Sequence, residues 1–140
     1  MKKVKDILNE KGEIYSISKD ASVLEAIKSM AEKGIGALLV LENEKLIGII
    51  TERDYAKKII LAGKSEKTKV SEIMTKDVLY VELDETVEEC MALIIDKKIR
   101  HLPVISKDKL VGILSIRDLV KSMIENQKFI ISQLEHYIHS

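Results

Sequence analysis

Cysteine, arginine and aromatic residues are all scarce in this 140-residue chain, and each scarcity excludes a class of chemistry. The single cysteine, Cys90, cannot close an internal disulfide or build a cysteine-rich zinc site. Three scattered histidines, His101, His136 and His139, offer no metal-ligand spacing, so no structural metal is expected. Five aromatics, Tyr15, Tyr55, Tyr80, Phe129 and Tyr137, are too few and too dispersed for a base-stacking platform. Net charge is absent too, with 23 basic and 23 acidic residues, so neither a nucleic-acid polyanion nor an anionic membrane finds an electrostatic partner. Any charged ligand must be held locally. No long uncharged apolar run exists, and Met1-Lys2-Lys3 leads into no signal-like stretch, which together suggest a cytoplasmic protein. Gly-x-Ser-x-Gly, Walker and Gly-x-Gly-x-x-Gly motifs are missing, and Ser115, Asp118 and His101 form a triad only on paper, so no enzyme is expected.

What is present is a folded composition, 46% hydrophobic and 33% charged, written as one unit twice. Laid over residues 80–120 at a constant shift of 64, residues 16–56 are identical at 13 of 41 positions. Val4-Lys5-Asp6-Ile7-Leu8 echoes Val70-Ser71-Glu72-Ile73-Met74 at a shift of 66, placing a two-residue difference around Glu10 to Glu13. Each half is near the size at which a lone core is marginal, so the halves are expected to pack into one body.

The unit reads β-α-β-β-α, an α+β (mixed α/β) pattern. Ile14 to Ile17 and Val78 to Val81 are short β-favouring runs. Ser22-Val23-Leu24-Glu25 and Thr86-Val87-Glu88-Glu89 are capping boxes that open helices. Val23, Ala26, Ile27, Met30 and Ala31 share one helical face, and Val87, Cys90, Met91, Ile94 and Ile95 share the other copy's, which makes Cys90 a small core residue. Ala37 to Leu41 with Leu46 to Ile50, and Leu102 to Ile105 with Leu110 to Leu114, read as hairpins. The expected organisation is repeat 1 over residues 1–61, a polar linker over 62–69, repeat 2 over 70–122 and a helical tail over 123–140. That tail carries Val120, Met123, Ile124, Gln127, Ile130, Leu134, Tyr137 and Ile138 at close to a/d spacing. A lone helix cannot bury such a stripe, so it folds back or meets another subunit.

Each hairpin ends in a hydroxyl, an arginine and an aspartate at a helix start: Thr51, Arg53 and Asp54, then Ser115, Arg117 and Asp118. Orphan N–H groups and the helix dipole favour an anion there, arginine binds phosphate through paired hydrogen bonds, and aspartate accepts from paired ribose hydroxyls. Thr51-x-x-Asp54 and Ser115-x-x-Asp118 are also capping boxes, and a cap alone accounts for the hydroxyl and the acid. It does not account for arginine. Against 20 lysines there are three arginines, and two stand at this one equivalent position. The third opens Arg100-His101-Leu102-Pro103, where the first copy has Gly36-Ala37-Leu38-Leu39, so the two corners are unequal. His101 suits either a phosphate contact or a structural hydrogen bond.

The tandem unit, the opening Asp20-Ala21-Ser22-Val23-Leu24-Glu25-Ala26, the Arg100-His101-Leu102-Pro103-Val104 strand and the Gly-Ile-[Ile/Leu]-[Thr/Ser]-x-Arg-Asp endings resemble a pair of cystathionine-beta-synthase (CBS) domains, a Bateman module. The resemblance covers residues 1 to about 122, and Leu134-Glu135-His136-Tyr137-Ile138 is similar to the tail of small stand-alone prokaryotic members.

That resemblance implies a regulatory module that requires no cofactor and binds AMP, ADP or ATP between its halves, signalling occupancy to an unidentified protein partner by changing shape. It implies that Thr51, Arg53 and Asp54 serve one site and Ser115, Arg117 and Asp118 the other, with hydroxyl and arginine toward phosphate. Ile49 and Ile113, with Ile35 and Ile99, would flank the adenine, and Arg100 and His101 match positions that reach phosphate. Gly36 and Ala37 replace that basic pair in the first copy, and Tyr80 stands where the family often has the threonine that Ser16 approximates. Similar modules form flat homodimers, which the tail stripe suits. S-adenosylmethionine or NAD as the ligand, or a ligand-free interaction module, are the alternatives.

Overall fold

Two hydroxyl residues start the two main helices. In the computed structural model, which describes residues 2–8 and 14–139, Ser22 accepts a hydrogen bond from the Glu25 amide at 3.1 Å and Thr86 accepts one from the Glu89 amide at 3.1 Å. Only Thr86 completes the reciprocal box, with the Glu89 carboxylate returning to the Thr86 amide. Behind these caps lie α2 (Val23–Lys33) and α5 (Val87–Lys97). They bury Val23, Ala26 and Met30, and Val87, Cys90 and Ile94 respectively, while Ala31 and Ile95 stay exposed at the edges of their expected faces.

The chain divides into two compact units, residues 14–79 and residues 1–13 with 80–140. In the first, β1 (Ser16–Ile17) pairs in parallel with β2 (Ala37–Glu42), which pairs antiparallel with β3 (Lys45–Thr51). A helix of mixed pitch follows, α3 (Glu52–Asp54) running into a π-helical segment, Tyr55–Ile60, and then α4 (Val70–Ile73). Leu38, Val40 and Ile50 meet the inner face of α2 in its core, with Ile59, Val70 and Ile73. In the second unit, α1 (Val4–Leu8), α5 and α6 (Ile116–His139) pack on the hairpin of β4 (His101–Ser106) and β5 (Lys109–Ser115).

The leading helices are exchanged relative to the sequence repeats. Val4 and Ile7 belong to the core of the second hairpin, and Val70 and Ile73 to the core of the first. The same backbone clasp holds each: Val4 N–H donates to the Glu85 carbonyl and Val87 N–H to Lys2, as Val70 N–H donates to Ala21 and Val23 N–H to Thr68. The boundaries read at 61/62 and 69/70 describe the repeat in sequence, but the units are cut at 13/14 and 79/80. The stretch 62–69 is therefore no spacer between units; its end pairs with the start of α2 inside the first. The tail is not separate either, because α6 runs unbroken from Ile116. The length difference around Glu10 to Glu13 lies outside the described residues.

One expected strand is missing for a clear reason. In the first unit, Leu39 N–H donates to the Tyr15 carbonyl and extends the parallel pairing. At the equivalent position stands Pro103, which has no N–H. The run Val78 to Val81 is consequently reduced to a single bridge, Val81 with Val104.

Candidate functional site

Each hairpin delivers its last residue to a helix start, and the register fixes the neighbours. Ala37 faces Thr51 across β2 and β3, and Glu52 N–H donates to the Gly36 carbonyl at 3.1 Å. His101 faces Ser115 across β4 and β5, and Ile116 N–H donates to the Arg100 carbonyl at 2.9 Å. The sets Gly36-Ala37 with Thr51-Arg53-Asp54, and Arg100-His101 with Ser115-Arg117-Asp118, are thus each brought to one corner of one unit. Ser16 joins the first sheet opposite Leu39, and Tyr80, half exposed, precedes the bridging Val81 in the second unit.

Both corners carry complete reciprocal caps. Thr51 N–H donates to Asp54 Oδ2 at 3.0 Å, Thr51 Oγ1 donates to the same oxygen at 3.1 Å, and Asp54 N–H donates back to Thr51 Oγ1 at 3.1 Å. In the second corner the corresponding distances for Ser115 and Asp118 are 2.7, 3.0 and 3.2 Å. The hydroxyls and carboxylates therefore hold the corner in shape whatever else they do. Arg53 and Arg117 behave differently. Both are exposed, and neither forms a hydrogen bond or ion pair among the described residues; the same holds for Arg100.

The aliphatic flanks are less equal than the motif suggests. Ile49 is 8% exposed and its backbone pairs both ways with Thr75, whereas Ile113, Ile35 and Ile99 are half-buried with surface to offer. Helix length separates the corners as well. The second corner caps 24 continuous α-helical residues, but the first caps three before the pitch widens to π.

Lys58 is the residue that motif reading passes over. Its Nζ lies 3.1 Å from Asp54 Oδ1 and donates to the Ile73 carbonyl at 2.8 Å, tying the first corner to the end of α4. The i,i+4 spacing from Asp54 was its available signal. At the equivalent position the second copy has Ser122, which is buried. Cys90, also buried, has its thiol pushed up to about 11, first by burial and then by the Glu85 and Glu89 charges, so it is no nucleophile at neutral pH. Among the described residues no cluster of three metal-ligating side chains forms, and no helix is long and apolar enough to cross a membrane.

A family model for the CBS domain matches residues 4–61 and again 70–125. The chain is 38% identical to a CBS domain-containing protein CBSX3, mitochondrial, from Arabidopsis thaliana, over 96% of this chain and 71% of that protein. Its fold superposes with a TM-score of 0.87 and 50% identity on a putative signal-transduction protein with CBS domains from Burkholderia ambifaria, covering 90% of this chain and 96% of that one. A second similar structure is the CBS domain pair of protein MJ0100 in complex with 5′-methylthioadenosine and S-adenosyl-L-methionine, with a TM-score of 0.79 and 30% identity, covering 90% of this chain and 98% of that one.

Proposed function

Because this chain belongs to the CBS domain family and is a paired regulatory module of it, we propose that it senses adenine nucleotides, AMP, ADP or ATP, at the strand-to-helix corners of its two units. Occupancy is passed to a protein partner as a shift between conformations the module already populates. It works as a non-catalytic module that needs no cofactor besides this ligand.

The observation that carries the reading is the state of the arginines. The caps explain Thr51, Asp54, Ser115 and Asp118, but Arg53 and Arg117 stand exposed beside them with no partner among the described residues. A guanidinium fork at a helix start matches a phosphate in charge and geometry. The half-buried Ile35, Ile99 and Ile113 supply aliphatic surface for a purine face. The second corner is the stronger one, since Arg100 and His101 replace Gly36 and Ala37.

The MJ0100 complex favours a second reading, an adenosyl ligand without phosphate, such as S-adenosylmethionine. Calorimetric titration separates the two. Binding of ATP or AMP that is weakened tenfold or more by Arg117→Met supports the nucleotide reading. Saturable binding of S-adenosylmethionine that is indifferent to Arg117→Met, with no heat from nucleotides, replaces it.

A further inference from the structure

The helices that follow the two hairpins begin alike and then wind differently. At the shift of 64 that relates the repeats, Tyr55, Lys58 and Ile59 correspond to Leu119, Ser122 and Met123. In α6 the winding is α throughout, and Leu119 and Ser122 are buried, with Met123 half-buried beside them. In the first unit the winding is π over Tyr55–Ile60, and the inward place passes to Ile59, 1% exposed. Leu61 N–H accordingly donates to the Ala56 carbonyl, five residues back, at 3.0 Å.

Lys58 accounts for the difference. Under α winding, at about 100° per residue, position 58 would take the inward place that Ser122 fills, and a lysine there must bend its ammonium back out to water. A π turn holds more residues, so each advances the helix by a smaller angle; position 58 swings outward and Ile59 moves in. Outside the core the ammonium meets two acceptors, Asp54 Oδ1 at 3.1 Å and the Ile73 carbonyl at 2.8 Å.

We propose that Lys58 is the latch of a two-state helix: seated on Asp54 and Ile73 it holds Tyr55–Ile60 in π pitch, and once unseated it lets the segment rewind to the α pitch of its counterpart. The change is a step between two ladders of hydrogen bonds, not a gradual bend. Rewinding turns Ile60 and Leu61, 61% and 80% exposed at the end of the segment, to a new bearing on the surface. The trigger rests on the nucleotide reading above: a ligand drawn to Arg53 bears on its neighbour Asp54, the acid on which the latch is seated. The second unit has no such device, because Ser122 carries no charge to keep outside the core.

The test is nuclear magnetic resonance of the full chain, reading scalar couplings through the hydrogen bond of the Leu61 amide, which name its acceptor directly. In ligand-free wild type and Lys58→Arg the coupled carbonyl should be Ala56. In Lys58→Ser and Lys58→Met, which remove the charge with and without the stem, that coupling should be lost and one to Lys57 gained. A Lys58→Met or Lys58→Ser variant that keeps Ala56 as its acceptor, or a Lys58→Arg variant that gives it up, would overturn the latch. Saturating ATP should move the wild-type acceptor from Ala56 to Lys57. If ATP shifts the Ser115 and Arg117 amides while Leu61 keeps Ala56, the trigger is wrong and the nucleotide reading stands. If ATP shifts no amide at either corner, the nucleotide reading falls and the trigger with it, while the ligand-free variants still decide the latch.

Discussion

Lys58 Nζ stands 3.1 Å from Asp54 Oδ1, four residues back along the same helix, and the same ammonium donates to the Ile73 carbonyl at 2.8 Å. One side chain thereby joins the first corner's cap to the C-terminal end of α4. The equivalent side chain in the second unit is the buried Ser122. The two units therefore differ at this position, where only the first has a lysine.

Replacing Lys58 by Ser, the second copy's residue, is expected to lower stability by about 0.5–1 kcal/mol, since the pair is partly exposed and one hydrogen bond goes with it. Urea unfolding measures this. Nucleotide binding at the second corner should be unchanged.

Lys98 occupies the left-handed region, φ 54°, at the end of α5, where α2 ends at Gly34 with φ 64°. A side chain in that conformation costs about 1 kcal/mol that glycine avoids. Lys98→Gly should therefore raise the unfolding midpoint by about 3–5 °C, an increase that scanning calorimetry resolves.

Leu8 packs over Gly112 as Met74 packs over Gly48, so close that a Cβ at Gly112 would run into the Leu8 side chain. Gly112→Ala should cost about 1–3 kcal/mol. Leu8→Ala costs stability alone but should recover part of that loss in the double variant, a coupling of more than about 0.5 kcal/mol in a double-mutant cycle. Additive losses would mean that α1 does not lie on the second hairpin in solution.

The Cys90 thiol is held up to about 11 in the fold against an ordinary 9.0. Above pH 9 the unfolded chain releases a proton that the folded one keeps. The contribution is thus whole below pH 9 and is lost as pH rises toward 11, on the order of 2 kcal/mol. Urea midpoints between pH 7 and pH 11 should fall more steeply for wild type than for Cys90→Ala, and a thiol reagent at pH 7.5 should react only after unfolding.

The features legible beforehand are those set by neighbours in sequence. Ser22, Thr86, Thr51 and Ser115 announce their helices because an N-cap acts across three residues, and the hairpins follow from two apolar runs around a short polar turn. The exchange of α1 and α4 was invisible because Val4 and Val70 look alike, and nothing local says which hairpin each covers. The loss of pairing at Val78 to Val81 was written in Pro103, but its effect depends on knowing which amide faces that strand. At the corners, the caps were readable from spacing alone; that Arg53 and Arg117 have no partner among the described residues needed the structure.

The central claim is that these arginines serve a ligand and the acids serve the fold, and thermal unfolding of nucleotide-stripped protein tests it most directly, with wild type, Arg53→Met, Arg117→Met and Asp118→Ala measured with and without ATP, AMP and S-adenosylmethionine. A ligand at a hundred times its Kd adds about 2.7 kcal/mol, roughly a 5–10 °C rise. The account predicts that both arginine variants unfold within about 1 °C of wild type without ligand, that Asp118→Ala unfolds several degrees lower through loss of its cap, and that Arg117→Met forfeits most of the nucleotide-induced rise. It is contradicted if Arg117→Met destabilises the bare protein as Asp118→Ala does, or if nucleotides raise its midpoint as far as that of wild type.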